Sequence, residues 1–205
     1  PAARRRLAEA GPQLVDGLGA HRVADGIVER LAGSPSFSCF GVRLRPATPA
    51  DRDFLFELRN DPSAYPLYGT PRPVEPAEHE AWLERALASA AHRLLVIEQE
   101  GRAVGQLRLD FDQSDSRASE RAELSISLGA GARGAGLGRR AIAAGALLAW
   151  IREGAGPIRA EIHPDNPGSL RAFGAVGFEP AGTTPGGFEE LVLQRRGFGW
   201  SGELG

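Results

Sequence analysis

The chain has 205 residues, 42% of them hydrophobic, and a formal charge of −2 at pH 7. That length suits one domain with a real core plus a short appendage, and the near-balanced charge excludes a bulk electrostatic pull toward nucleic acid or an anionic membrane. All 24 basic residues are Arg and Met is absent, a compositional bias that weakens any one arginine as a signal. The single cysteine, Cys39, excludes an internal disulfide framework and a cysteine-based zinc site, and it favours a reducing, cytoplasmic setting. His21, His79, His92 and His163 show no ligand spacing, so no metal is expected. No apolar run approaches the roughly 20 residues that span a bilayer. The opening "PAARRRLAEAG" lacks the apolar stretch of a signal peptide. The chain begins at Pro1 rather than Met, which raises the expectation of a processed or excised segment.

In chain order, Val23 to Leu31 carry a helical pattern closed by Gly33. Residues 1–36 are expected as a leading helical segment, "SPSFSCFG" as a linker, and residues 37–205 as the main domain. "VRLRPAT" predicts a short strand. "PADRDFLFELRNDP" predicts a helix with Asp51 as N-cap, Phe54, Leu55 and Leu58 on one face, and Pro62 ending it. A Pro-rich aromatic loop, "SAYPLYGTPRPVEP", leads to a second helix in "AEHEAWLERALASAA". "RLLVIEQEGRAVGQLRLDF" predicts a hairpin turning at Glu100-Gly101-Arg102. A polar connection, "DQSDSRASER", precedes a strand in "AELSISL". Then come a glycine-rich junction, a helix in "RRAIAAGALLAWIREG" ending at Gly154, a strand in "IRAEI", a helix in "PGSLRAFGAVG" with Pro167 in its first turn, and a last strand in "FEELVLQR". The resulting order, β-α-α-β-β-β-α-β-α-β, is a mixed α/β class with at most one clean parallel crossover.

The junction "ARGAGLGRR" sets strand, glycines and helix start in succession, an arrangement that binds phosphate in several folds. A P-loop needs a lysine, and the chain has none. Gly129, Gly131 and Gly134 fit G-x-G-x-x-G, but the remaining length cannot supply the repeated crossovers of a dinucleotide domain. Arg133-Gly134-Ala135-Gly136-Leu137-Gly138 matches R/Q-x-x-G-x-G/A, and "AEIHPDNPGSLRAFGAVGFEP" supplies a strand, N-x-x-S and a helix ending in G-F. Together, in this order and separation, they resemble the two signatures of the GNAT acetyltransferase superfamily over roughly residues 41 to 196.

That resemblance implies a mixed, mostly antiparallel sheet splayed at an acetyl-CoA wedge and flanked by helices. Acetyl-CoA is the implied cofactor. The strand ending at Leu128 would part from the strand at Ile158 to Ile162. Ser127, Leu128, Arg133, Gly134, Ala135, Gly136, Leu137, Gly138 and Arg139 would line the cofactor, with backbone N–H groups and the helix dipole facing the pyrophosphate. Asn166 is expected as a cofactor contact or as a cap of the last helix, and Phe173 as packing along the cofactor arm or in the core. For the chemistry, Glu123 is the candidate base, against the alternative of a solvated strand-end residue. The backbone N–H near Leu128 is the candidate oxyanion donor. The superfamily's frequent acid tyrosine falls at Phe173, which has no proton to give. Tyr65 or Tyr68 reaching in from the loop, or solvent, would have to serve.

The stretch "LRNDPSAYPLYGTPRPVEPAEHEAWLERAL" is similar to nucleotide-sugar amine N-acetyltransferases of the pseudaminic acid pathway, and "LVDGLGAHRVADGIVERL" to the tail of that pathway's UDP-sugar hydrolase. The implied acceptor is the 4-amino group of a UDP-linked amino-dideoxy sugar. Arg59, Asn60, Tyr65, Tyr68, His79, Trp82 and Arg108 are the expected acceptor contacts, with core packing as the alternative for Trp82 and a pocket wall for His79. Arg171 is assigned to the cofactor side or solvent. A peptide N-terminus or a small amine as acceptor, and a non-catalytic acetyl-CoA-binding domain, stay open. A homodimer is a further expectation.

Overall fold

The computed structural model describes residues 36–111 and 122–198. The helical pattern of residues 23–31 and the whole polar connection of residues 112–121 lie outside the described residues. Among the described residues eight strands form one sheet: β1 (Phe37–Cys39), β2 (Val42–Pro46), β3 (His92–Gln99), β4 (Arg102–Phe111), β5 (Ala122–Leu128), β6 (Ile158–Ile162), β7 (Glu179–Thr183) and β8 (Glu189–Leu193). They lie in the order β1-β2-β3-β4-β5-β6-β8-β7. Every neighbouring pair is antiparallel except β5–β6. Among the described residues four α-helices accompany them: α1 (Arg52–Arg59), α2 (Pro76–Ala88), α3 (Leu137–Arg152) and α4 (Pro167–Gly174).

The sheet separates two apolar layers, because side chains alternate along each strand. On one face Leu94 and Val96 of β3 meet Leu55 of α1, and Leu83 and Ala86 of α2. On the other face Leu107 and Leu124 lie against α3, whose Gly145 brings the helix backbone close to both leucines. Nearly all of α3 from Ala141 to Trp150 is buried, which its Ala-rich sequence permits.

Three expectations need correction. The "linker" contains β1, because Phe40 (φ 53°) and Gly41 (φ 70°) make a tight turn onto β2. Phe37 is then buried beneath the Arg152 guanidinium, which lies 5.6 Å from its ring. Second, β7 was not anticipated. "EPAGT" contains Pro and Gly, is exposed throughout and pairs with β8 through an irregular register at Pro180/Gly182, which is edge-strand behaviour. Third, Asp51 does not cap α1 with its side chain. Its carboxylate turns back to accept from Thr48 N (2.8 Å) and Thr48 Oγ1 (2.9 Å), and it binds Arg45 Nη1 (2.8 Å) and Nη2 (2.7 Å).

β5 and β6 are paired only at Ala122↔Ile158 and Glu123↔Arg159. Beyond those positions the two strands fork. The β5–β6 ladder therefore stops at Glu123↔Arg159 while β5 runs on to Leu128, so the sheet holds a wedge at its centre.

Candidate active site

Strand alternation and register place a polar floor beside the fork. One transverse row runs His92↔Asp110↔Glu123↔Arg159 across β3, β4, β5 and β6. The next rows hold Arg108↔Ser125 and Gln106↔Ser127. All of these side chains share the face that Leu94 and Val96 share with α1 and α2, since residues two apart on a strand point the same way. Glu161, two beyond Arg159, extends the floor on β6.

Glu123 occupies the last paired position before the strands part. Burial raises its carboxyl pKa, and the neighbouring Glu161 and Asp110 carboxylates raise it further, while Arg108 and Arg159 oppose them. A carboxylate held in this way is better suited to accept a proton near neutrality than a solvated one. The surrounding charges are mutually tied. Asp110 accepts from Arg108 Nε (2.7 Å) and sits 2.6 Å from His92 Nδ1. Arg159 Nε lies 2.6 Å from Glu190 and its Nη2 lies 3.6 Å from Glu161.

The loop between α1 and α2 covers the open end of β5. The Tyr68 hydroxyl lies 2.9 Å from Ser127 Oγ, and the Arg59 guanidinium stands 4.9 Å from the Tyr68 ring centre. Arg59 Nη2 donates to Thr70 O (2.9 Å), while its Nη1 is buried without a partner among the described residues. Tyr65 begins a 3-10 turn in the same loop. Asn60 has a different job: its side-chain amide donates to Val74 O (2.9 Å) and accepts from Val74 N (2.8 Å), closing the base of the loop.

At the same end of β5, just after Leu128, the glycine junction turns onto α3. Gly134 (φ 85°) and Gly136 (φ 72°) adopt conformations that favour glycine, and a Cβ on either would meet nothing within 4 Å. Ala135 lies between them, and Gly136 is the residue that leads into α3 at Leu137. The first-turn N–H groups, at Leu137, Gly138 and Arg139, have no intrahelical acceptors. Their sum with the helix dipole is a site for an anion. Open space above the glycines, the first-turn N–H groups of α3 and the forked strands together fit a long phosphorylated thioester such as acetyl-CoA.

Other expected contacts take structural positions. His79 is 3% exposed, with its ring 5.4 Å from Phe56 and 5.3 Å from Trp82. It belongs to the packing between α1 and α2, and burial lowers its pKa. Trp82 packs against the same apolar cluster. Phe173 is 2% exposed and meets Phe178 edge-to-face at 4.9 Å, so its ring is core rather than a lining of the wedge. Asn166 caps α4 through Oδ1, which accepts from Ser169 N at 3.0 Å. Arg133 is tied to Leu128 O, Ser63 and Asp61. Sequence reasoning missed Asp110, His92, Arg159 and Glu161. The polar alternation in "IRAEI" signals one face of a strand, but only register reveals that this face adjoins Glu123. Among the described residues there is no group of three metal-ligating side chains, and no helix is long and apolar enough to cross a membrane.

Comparison with known proteins agrees with this fold. Aminoglycoside acetyltransferase AAC(6')-Ib, solved with paromomycin and acetyl-CoA, superposes with a TM-score of 0.68 at 21% identity, covering 77% of this chain and 95% of that one. Spermidine N-acetyltransferase from Vibrio cholerae, solved with CoA and spermine, gives 0.68 at 17% identity, covering 77% and 97%. No curated protein sequence matches significantly. The family model for the acetyltransferase (GNAT) domain matches residues 42–179. The chain therefore belongs to the GNAT acetyltransferase family, whose acetyl donor is acetyl-CoA.

Proposed function

We propose that the protein acetylates the primary amine of a small polar molecule, with Glu123 as the base that takes the amine's proton. The observation that carries this reading is the place of Glu123: a carboxyl of raised pKa at the last paired position before β5 and β6 fork. Bound acetyl-CoA supplies an activated thioester carbonyl. The chain's residues do the rest. The glycine loop and the α3 N-terminus hold the diphosphate, and an unpaired backbone N–H near Leu128 is aimed at the developing oxyanion. Glu123 accepts the ammonium proton directly or through a water, which leaves the neutral amine as nucleophile; as the C–N bond forms and the thioester C–S bond breaks, the proton lost by the acylated nitrogen passes to the departing thiolate through solvent or a loop tyrosine.

For the acceptor, the similarity of the α1–α2 segment to nucleotide-sugar N-acetyltransferases supports an amino sugar linked to UDP. The aromatic loop and the unpartnered Arg59 Nη1 favour a ring bearing an anionic group. Arg72 and Arg108 are already paired with Glu78 and Asp110, so Arg59 carries that reading alone. A specific observation favours a second one, a cationic amine. Asp110, Glu123, Glu161 and Glu190 outnumber Arg108 and Arg159 on the floor, and the two solved relatives bind an aminoglycoside and spermine. Thiol release from acetyl-CoA, followed with UDP-4-amino-dideoxy sugars, polyamines, aminoglycosides and N-terminal peptides, tests both. Turnover with the sugars alone supports the first, and turnover with polyamines or aminoglycosides supports the second. Turnover with peptides only would refute both.

A further inference from the structure

Arg133 opens the glycine loop, where a cation is expected to meet phosphate. Its guanidinium is instead committed on three sides. Nε donates to Leu128 O at 2.9 Å, Nη1 to Ser63 Oγ at 2.6 Å, and Nη2 to the Asp61 carboxylate at 2.5 Å. The receiving turn is itself well knit. Asp61 Oδ1 accepts from Ser63 N (2.9 Å) and Ser63 Oγ (2.7 Å), and Asp61 O accepts from Ala64 N (2.9 Å) and Tyr65 N (3.0 Å). One guanidinium thus joins the end of β5, the glycine loop and the start of the loop over the polar floor. The Tyr68 hydroxyl, 2.9 Å from Ser127 Oγ, fastens the same loop to β5 a second time.

We infer that Arg133 is a positioning residue that couples the two substrate sites, holding the acceptor-side loop at residues 61–68 from the glycine loop rather than binding phosphate. The inference rests on the reading that the glycine loop holds acetyl-CoA. Gly134 and Gly136 have open space around them, so a bound diphosphate would restrict the backbone that carries Arg133. A loop already ordered costs less to order again, and the second ligand then binds more tightly. Linkage makes the effect mutual: an acceptor seated under residues 61–68 would tighten CoA by the same factor. A lysine would not reproduce the device, because one ammonium lacks the planar fork that reaches three acceptors at fixed angles.

The test uses the full chain, its Arg133→Ala and Asp61→Asn variants, and CoA as the probe. Amide hydrogen exchange is followed in residues 61–68 and 134–140 with and without CoA, and CoA affinity is measured by calorimetry. In the parent, CoA is expected to slow exchange in both segments. In each variant it should still protect residues 134–140 but no longer residues 61–68, with CoA affinity kept within about threefold. Loss of CoA affinity by about tenfold or more in Arg133→Ala, with Asp61→Asn unaffected, would overturn the inference and make Arg133 a phosphate ligand. Unchanged CoA protection of residues 61–68 in Arg133→Ala would also overturn it. Absence of CoA binding to the parent would instead overturn the acetyl-CoA reading on which it stands.

Discussion

Asp51→Asn offers a quantitative test of how the acceptor-side helix is anchored. The Asp51 carboxylate takes both terminal nitrogens of Arg45, at 2.7 and 2.8 Å, together with two bonds from Thr48. These contacts, the Arg45 hydrogen bonds first, hold its pKa down from 3.8 to about 2 against the opposing effect of burial. At 1.36 kcal/mol per unit, that gap is worth about 2 kcal/mol of stability. Solvent screens the pair little, since the two side chains are only 24% and 10% exposed. Asparagine keeps an acceptor for Thr48, and Arg45 keeps Glu98 at 2.7 Å, so no buried charge is orphaned. Because the folded-state pKa is depressed, the contribution is complete above the unfolded value of 3.8 and is lost as pH falls through about 2. Urea denaturation should therefore find the variant about 2 kcal/mol less stable at pH 7, with the difference closing toward pH 2. A loss below about 0.5 kcal/mol at pH 7, or a gap that persists on acidification, would refute the reasoning.

Three further outcomes are expected. A Cβ at Gly145 would stand 2.6 Å from Leu107 Cδ1 and 3.1 Å from Leu124 Cδ1. Gly145→Val should accordingly destabilise by about 1–3 kcal/mol in urea titration; an unchanged midpoint would mean that the helix stands farther from the sheet. Asn166→Ala removes the α4 cap and should cost about 1 kcal/mol by the same measurement; a CoA affinity loss without a stability loss would assign Asn166 to the cofactor instead. Glu123 has a folded-state pKa raised above its usual 4.5, chiefly by burial. Its contribution to stability is therefore full below 4.5 and lost as pH rises through the folded value. Glu123→Gln, which imitates the neutral form, should melt higher than the parent at pH 7 and lose that advantage below pH 4.5. A variant that melts lower at pH 7 would contradict the raised pKa.

The sequence was most legible where local chemistry and position coincide. The apolar alternation of β3 and β4, the glycines before α3 and Pro167 at the start of α4 announce their own elements. The glycine junction also carries its function locally, because positive φ and the N–H groups of a helix start need no distant partner. β1 and β7 were not legible, since each is too short or too exposed to show a period. His79 shows the limit for a site. Its spacing from Trp82 places both on one side of α2, but whether that side meets the core or the floor is decided by α1 packing over it. Arg133 shows a similar limit. Its place in the motif is local, whereas its partners Asp61 and Ser63 are some 70 residues away. The polar row around Glu123 depends on the register of four strands, which no single segment encodes.

The most direct test of the account is the pH dependence of kcat/KM for acetyl transfer, measured on the parent and on Glu123→Gln with an amine acceptor that turns over. The account predicts an acid limb in the parent set by a carboxyl titrating above 4.5, and a loss of roughly 10²- to 10⁴-fold in the variant, whose rate no longer shows that limb. A variant within about threefold of the parent, with the limb intact, would contradict the assignment of Glu123 as base and with it the proposed mechanism.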